Sequence, residues 1–278
     1  MAGKSAPHFG PRLIGSPTGT LRAAVLVKPN RSIERSKPLP GEPGTVYPWA
    51  LEQHLILRKT LEYFGVETVV VDAHAEDPYE VSIADDAVAF EDGAVLMRPT
   101  SMTRRAEADR LKAEFAHIDV PLAGHITAPG LLDGSDIVLA GTTAFVGVGK
   151  RGNELGRSGF AQVARAHGYD VVEVKIEASV PSLRAVVSPV AKDTLAIAAN
   201  CVDVAQFSGF KTIVVEPGEE LAAGVLTIGD RHVLADIRYR TALRAMRSAG
   251  ITVEAIDLYE YGKLGLTPSM LVLPLKRD

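Results

Sequence analysis

The stretch Leu61-Glu62-Tyr63-Phe64-Gly65-Val66-Glu67-Thr68-Val69-Val70-Val71 reads as the end of an amphipathic helix, a glycine corner and a short strand rich in Val. The same order returns at Leu111–Leu122, Val163–Ile176, Val204–Val215 and Leu243–Ile256. With Gly65, Ile118, Gly168, Gly209 and Gly250 as the corners, the spacings are 53, 50, 41 and 41 residues. Such near-regular repetition predicts five related units around an axis rather than an open doubly wound sheet. Each unit carries further strand-like segments, among them Arg22–Lys28, Ala94–Met97, Ile137–Ala140, Ala144–Val148, Thr194–Ala198 and His232–Ala235. Strands plus one helix, set radially, bring strand ends and loops around a central funnel.

Composition agrees with one compact body. The chain has 278 residues, 46% apolar and 23% charged, with a formal net charge of −4. That balance offers no basic stripe for nucleic acid, and the apolar fraction supplies a large core. A lone cysteine, Cys201, excludes an intramolecular disulfide and a cysteine-built zinc cluster, which points to reducing cytoplasm. No run is apolar and long enough to span a membrane, and Met1 to Thr20 lacks the apolar segment of a signal peptide. The expectation is one domain over 1–278, with residues 1–20 a loosely held arm. Lys37-Pro38-Leu39-Pro40-Gly41-Glu42-Pro43-Gly44 is expected to be a surface loop or lid, because each proline removes a backbone donor.

The chemistry-bearing residues fall on the loops. Asp133-Gly134-Ser135-Asp136 precedes the apolar run from Ile137, so two carboxylates stand where a strand begins; a plain turn explains the same residues. Gly147-Val148-Gly149-Lys150-Arg151-Gly152-Asn153 puts basic residues in a glycine-rich bend, in neither the Walker A nor the dinucleotide-binding order. An arginine there suits carboxylate binding, since its planar fork grips both oxygens. The histidines, His8, His54, His74, His117, His125, His167 and His232, show no metal-ligand spacing, and neither a metal nor a cofactor is expected. Trp49 is a core residue or a stacking wall for a planar ligand.

Several segments together resemble the guanidino-group-modifying superfamily, the penteins, which contains dimethylarginine dimethylaminohydrolases, arginine deiminases and amidinotransferases. They are Gln53-His54, Asp77-Pro78 through Asp85, Arg98-Pro99, Arg104-Arg105-Ala106-Glu107, Leu132–Asp136, Gly147–Asn153, Ser182-Leu183 and Gly265–Leu271. The resemblance implies an α/β fold, a five-bladed α/β propeller of ββαβ units with pseudo-fivefold symmetry. It also implies that Asp133 stands where an acidic residue assists the catalytic histidine, with Asp136 supporting it. Asp85 stands where an aspartate holds the substrate guanidinium, and Arg105 and Arg151 where arginines bind the substrate carboxylate. Asn153 and Tyr79 fall in the same ligand-binding segments, although Tyr79 and Ser82 replace an Asp and a Phe of the family motif.

The reactive groups depart from the family. Val180-Pro181-Ser182-Leu183-Arg184 puts Ser182 at the histidine position, and Gly265-Leu266-Thr267-Pro268-Ser269-Met270-Leu271 puts Pro268 at the nucleophilic cysteine. Thiolate attack on a guanidinium carbon with a histidine shuttling the proton needs both missing groups. Two functions follow: a non-catalytic or regulatory pentein binding a small, amino-acid-like zwitterion, or an enzyme of cysteine-independent chemistry using Asp133, Asp85 and Ser182 or His125. Self-association and association with an active paralogue both stay open.

Overall fold

The computed structural model describes residues 8–73 and 77–278; His74 and the first seven residues of the expected arm lie outside them. Among the described residues fifteen strands form five separate three-stranded sheets. The first sheet takes β1 (Leu21–Lys28), then helix α1 (Tyr47–Tyr63), then β2 (Glu67–Asp72), which lies parallel to β1. The second has β3 (Ala87–Ala89), β4 (Ala94–Leu96), α2 (Glu107–His117) and β5 (Leu122–His125). The third has β6 (Ile137–Ala140), β7 (Thr143–Val148), α3 (Glu154–Ala166) and β8 (Asp170–Lys175). A short helix α4 (Leu183–Val186) leads into the fourth, β9 (Val187–Ala191), β10 (Thr194–Ala198) and β11 (Lys211–Val215). The fifth has β12 (Leu226–Gly229), β13 (His232–Asp236), α5 (Arg240–Ser248) and β14 (Thr252–Ile256). Two short helices, α6 (Tyr259–Gly262) and α7 (Pro268–Leu271), then carry the chain to β15 (Val272–Arg277), which pairs antiparallel with β1 and completes the first sheet. This is the five-bladed ββαβ arrangement, with the last strand closing the ring.

The corner residues explain the repeat. Gly65, Gly168, Gly209 and Gly250 have φ of +78°, +80°, +95° and +79°, the left-handed region in which a Cβ is penalised, so each helix end can reverse into its strand. In the second unit that conformation falls on Asp119 (φ 55°), one residue past the expected Ile118; aspartate tolerates it better than most side chains. The fourth unit departs further, since Val204–Phe207 is a single 3-10 turn rather than an α-helix.

Short helical turns at Ile83–Asp85, Gly134–Asp136, Leu183–Val186, Glu220–Ala223 and Pro268–Leu271 each precede the first strand of a sheet or, for the last, the closing strand. The turns at Ile83–Asp85 and Gly134–Asp136 pack on each other, α4 packs on the turns at Gly134–Asp136 and Glu220–Ala223, and α7 packs on the turn at Ile83–Asp85 and on α4. These packed turns carry the candidate site. The arm is held, not loose, from Phe9 onward: Phe9, Leu13 and Ile14 are buried, and Leu13 is bonded through its backbone to Glu91 and Arg277. Trp49 is 57% exposed, which corrects the expectation of core packing. The Pro-rich loop is tied down: the Tyr79 hydroxyl donates to the Lys37 carbonyl at 3.0 Å and accepts from the Lys37 N–H at 3.1 Å, and Lys263 Nζ donates to the Gly44 carbonyl.

Candidate functional site

Asp85 is the buried centre. It closes its helical turn and is fully inaccessible, a position that a carboxylate tolerates only with charge partners. Arg104 Nη1 donates to its Oδ2, and Arg151 Nη1 lies 3.3 Å from its Oδ1. Burial alone would raise the Asp85 carboxyl, but the guanidiniums of Arg151 and Arg104 overcome that and hold it down at about 2.

Arg104 is itself saturated with acids. Its Nε donates to both Glu107 oxygens at 3.0 Å, Nη2 reaches Glu107 Oε2 at 2.6 Å and Asp86 Oδ2 at 3.5 Å, and Nη2 also donates to the Ser82 carbonyl. All four charged side chains are at most 4% exposed. Three carboxyls cannot all ionise around one cation, and burial pushes Asp86 and Glu107 upward. Arg104 is thereby a fixed structural counter-charge beneath Asp85.

Arg151 comes from the bend after β7. Its Nη1 donates to Asp133 Oδ2 at 2.9 Å, and its Nε donates to the Pro181 carbonyl at 2.5 Å. The Asp133 N–H donates to the Arg151 carbonyl, and the Thr100 N–H donates to Asp133 Oδ1 at 2.7 Å. Burial first, then Asp85, raises the Asp133 carboxyl against the pull of Arg151. Asp136, three residues on, accepts from the Leu183 N–H at 2.9 Å through Oδ1, while its Oδ2 is buried without a partner. Burial pushes it up to about 7. Arg151 is 23% exposed and is the cluster's opening to solvent.

Asp85 from the second unit, Asp133, Asp136 and Arg151 from the third, and Ser182 from the start of the fourth thus lie together. Ser182 immediately precedes α4 and its Oγ donates to Met270 Sδ at 3.4 Å rather than to the helix, so α4 meets α7 there. Pro268 is the first residue of α7. Neighbouring hydroxyls are engaged: Thr267 and Ser269 are 3.1 Å apart, and Ser269 Oγ donates to the Arg184 carbonyl.

Other expected residues sit elsewhere. Arg105 and His125 line a separate groove between α2 and β4–β5, whose walls include none of the cluster's acids. Asn153 caps α3, accepting from Gly156 N–H at 2.8 Å and from Leu131 N–H at 2.9 Å, and so holds the Arg151 bend rather than facing a ligand. Tyr79 clamps the Pro-rich loop. Cys201 has Asn200, Glu220 and Glu177 as neighbours, and burial followed by those two glutamates pushes its thiol up to about 11. Sequence reasoning missed Arg104, although its placement three residues before Glu107 at a helix start gives a spacing at which the two side chains meet. Among the described residues no group of three or more His, Cys, Asp or Glu could hold a metal ion.

No protein-family model matches the chain. It is 25% identical over 224 residues to the N(G),N(G)-dimethylarginine dimethylaminohydrolase of Pseudomonas aeruginosa, covering 81% of this chain and 87% of that protein. It is 29% identical over 215 residues to the enzyme of the same name from Streptomyces coelicolor, covering 77% and 81%. Among solved structures, a cysteine-to-serine variant of the P. aeruginosa enzyme complexed with citrulline superposes with a TM-score of 0.84 at 22% identity, over 91% of this chain and 99% of that one. A substrate-bound cysteine-to-serine variant of the N-terminal domain of ArgZ, a cyanobacterial arginine dihydrolase, gives 0.81 at 17% identity, over 92% and 98%. At these identities the superpositions establish the fold.

Proposed function

We propose that the chain is a non-catalytic pentein of the dimethylarginine dimethylaminohydrolase-like kind that binds a small zwitterionic amino acid at the Arg151–Asp133 opening. The observation that carries this reading is the pairing of Arg151 with both Asp133 and Asp85. The carboxylate that the family resemblance assigns to a substrate guanidinium is here shared by two guanidiniums of the chain itself.

The reactive positions support the same reading. Ser182 Oγ meets a thioether rather than a base, and Pro268 has neither a nucleophile nor a proton to give. Cys201 holds its proton too tightly to serve as a thiolate near neutral pH.

Binding follows from exchanging one internal ion pair for two. An incoming ammonium or guanidinium takes Asp133, and the ligand's carboxylate takes the released face of Arg151, which is the part of the cluster open to solvent. Of the structures that share this fold, the P. aeruginosa variant holds citrulline and the ArgZ variant its substrate. The test is calorimetric titration of arginine, citrulline and methylated arginines into the wild type and Arg151→Ala. Binding to the wild type that weakens about ten- to a hundredfold in the variant is expected, from the strength of charge-assisted contacts. No heat with any of these ligands, or an unchanged affinity in Arg151→Ala, overturns the reading.

A further inference from the structure

The strands β3, β6, β9, β12 and β15 line a common cavity of about 80 Å³, with Val88, Val138, Val187, Leu226 and Leu273 in its walls. At roughly 30 Å³ of liquid volume per water, that is room for two or three waters or one small ion. The wall is not wholly apolar. Arg184, Arg277, Ser188 and Thr227 also line it.

Among the described residues the two arginines have no carboxylate in contact. Arg184 Nε donates to the Ile137 carbonyl at 2.8 Å and Nη1 to the Ser269 carbonyl at 3.2 Å. Arg277 Nη1 donates to the Gly19 carbonyl at 2.9 Å and Nη2 to the Thr227 carbonyl at 2.7 Å. Among the described residues neither guanidinium is within ion-pair distance of a carboxylate, in contrast with Arg104 and Arg151. Ser188 is 2% exposed, lines the same cavity, and its Oγ has no hydrogen-bond partner. Burial draws Arg184 down to about 10 and Arg277 to about 9, and Arg184 further depresses Arg277, so the two cations feel each other across this space.

Two neighbouring cations, Arg277 buried and Arg184 partly buried, share this wall with no carboxylate in contact among the described residues; Asp85 acts on Arg184 only at a distance, and a hydroxyl left without a partner adds to the cost of burying them. Carbonyl oxygens satisfy some of the N–H donors but carry no net charge. The missing element is negative and small.

We propose that this axial cavity is an anion site, in which Arg184, Arg277 and the Ser188 hydroxyl hold a small inorganic anion such as chloride, phosphate or sulfate. Arg277 belongs to the closing strand β15, and Arg184 to the turn before β9, so the anion ties the closing strand to the opposite part of the ring. The site is distinct from the Arg151–Asp133 opening, shares no side chain with it, and does not depend on the function proposed there.

The test is thermal unfolding of the full chain at fixed ionic strength and pH, with gluconate replaced stepwise by chloride, sulfate or phosphate. A saturable rise in Tm with at least one small anion is expected, and saturation separates it from the general effect of excluded salts. Ser188→Ala removes the unpartnered hydroxyl without disturbing any bond within the chain; it should raise the apparent Kd about three- to tenfold. Arg277→Gln should abolish the saturable response, and bromide soaked into wild-type crystals should give an anomalous peak between Arg184 and Arg277. A Tm that depends only on ionic strength, equal saturation in the wild type and Ser188→Ala, or a bromide-free cavity overturns the proposal. The difference between chloride and the oxyanions identifies which anion the site takes.

Discussion

Arg151 and Asp133 are joined twice: Arg151 Nη1 lies 2.9 Å from Asp133 Oδ2, and the Asp133 N–H donates to the Arg151 carbonyl at 2.9 Å. The backbone bond fixes the bend after β7 against the turn before β6, and the side-chain bond then falls across the opening. Removing the guanidinium leaves the Asp133 carboxyl buried with only the Thr100 N–H as partner. Breaking a buried pair costs about 3–5 kcal/mol, and the partial exposure of Arg151 places this one near or below the lower end. Arg151→Ala should therefore lower the unfolding free energy by about 2–3 kcal/mol in urea titrations. Arg151→Lys should recover little of it, because one ammonium cannot serve Asp133, Asp85 and the Pro181 carbonyl together. A loss under about 0.5 kcal/mol would assign the pair to the exposed class.

Gly134 is required by a close approach rather than by its dihedral angles. A Cβ there would overlap the Ala84 carbonyl oxygen, where the turns carrying Asp85 and Asp133 touch. Gly134→Ala must separate the turns or distort them, and overpacking of this kind costs about 1–3 kcal/mol. The urea midpoint should fall accordingly; an unchanged midpoint means that the two turns do not bear on one another.

The Asp136 carboxyl gives the fold a pH signature. It titrates at about 7 in the folded chain against an ordinary value of 3.8, so the folded state keeps a proton that the unfolded chain releases. A raised carboxyl contributes stability that is complete below about pH 4 and is lost as pH rises to about 7. Asp136→Asn preserves the acceptor for the Leu183 N–H and removes this loss. Each pH step of one over which a proton is held by the folded chain alone is worth about 1.36 kcal/mol, so the variant should gain about 2–3 kcal/mol on wild type between pH 5 and pH 8. Asp85, held low, has the opposite sign and acts only below about pH 4, outside that window. A pH-independent difference between the two proteins contradicts this role.

Most of the ring was legible because its corners depend on backbone chirality. Four glycines at φ near +80° to +95° mark helix ends wherever they occur, whereas Asp119 adopts the same conformation without a glycine to announce it. The acids of the site were legible because Asp133 and Asp136 stand beside a strand start, and Arg151 because it follows a strand in a glycine-rich bend. Arg104 and Arg105 were not separable. They are adjacent in an aperiodic segment, one pointing to Asp85 and the other to the groove with His125, and only tertiary packing decides which. Arg184 was legible as a neighbour of Ser182, but its carbonyl partners come from β6 and α7, which only tertiary packing brings to α4.

The most direct measurement is citrulline release from arginine and methylated arginines, with the purified protein as it stands, after thiol alkylation, and as Cys201→Ala. With Pro268 and Ser182 at the positions where the resemblance places the family's cysteine and histidine, and the Cys201 thiol pushed up to about 11, no citrulline above the buffer rate should form in any of the three. Citrulline formed by the wild type and abolished by alkylation or by Cys201→Ala would make Cys201 the nucleophile and the protein an enzyme, and would contradict a purely binding role for Arg151 and its carboxylates.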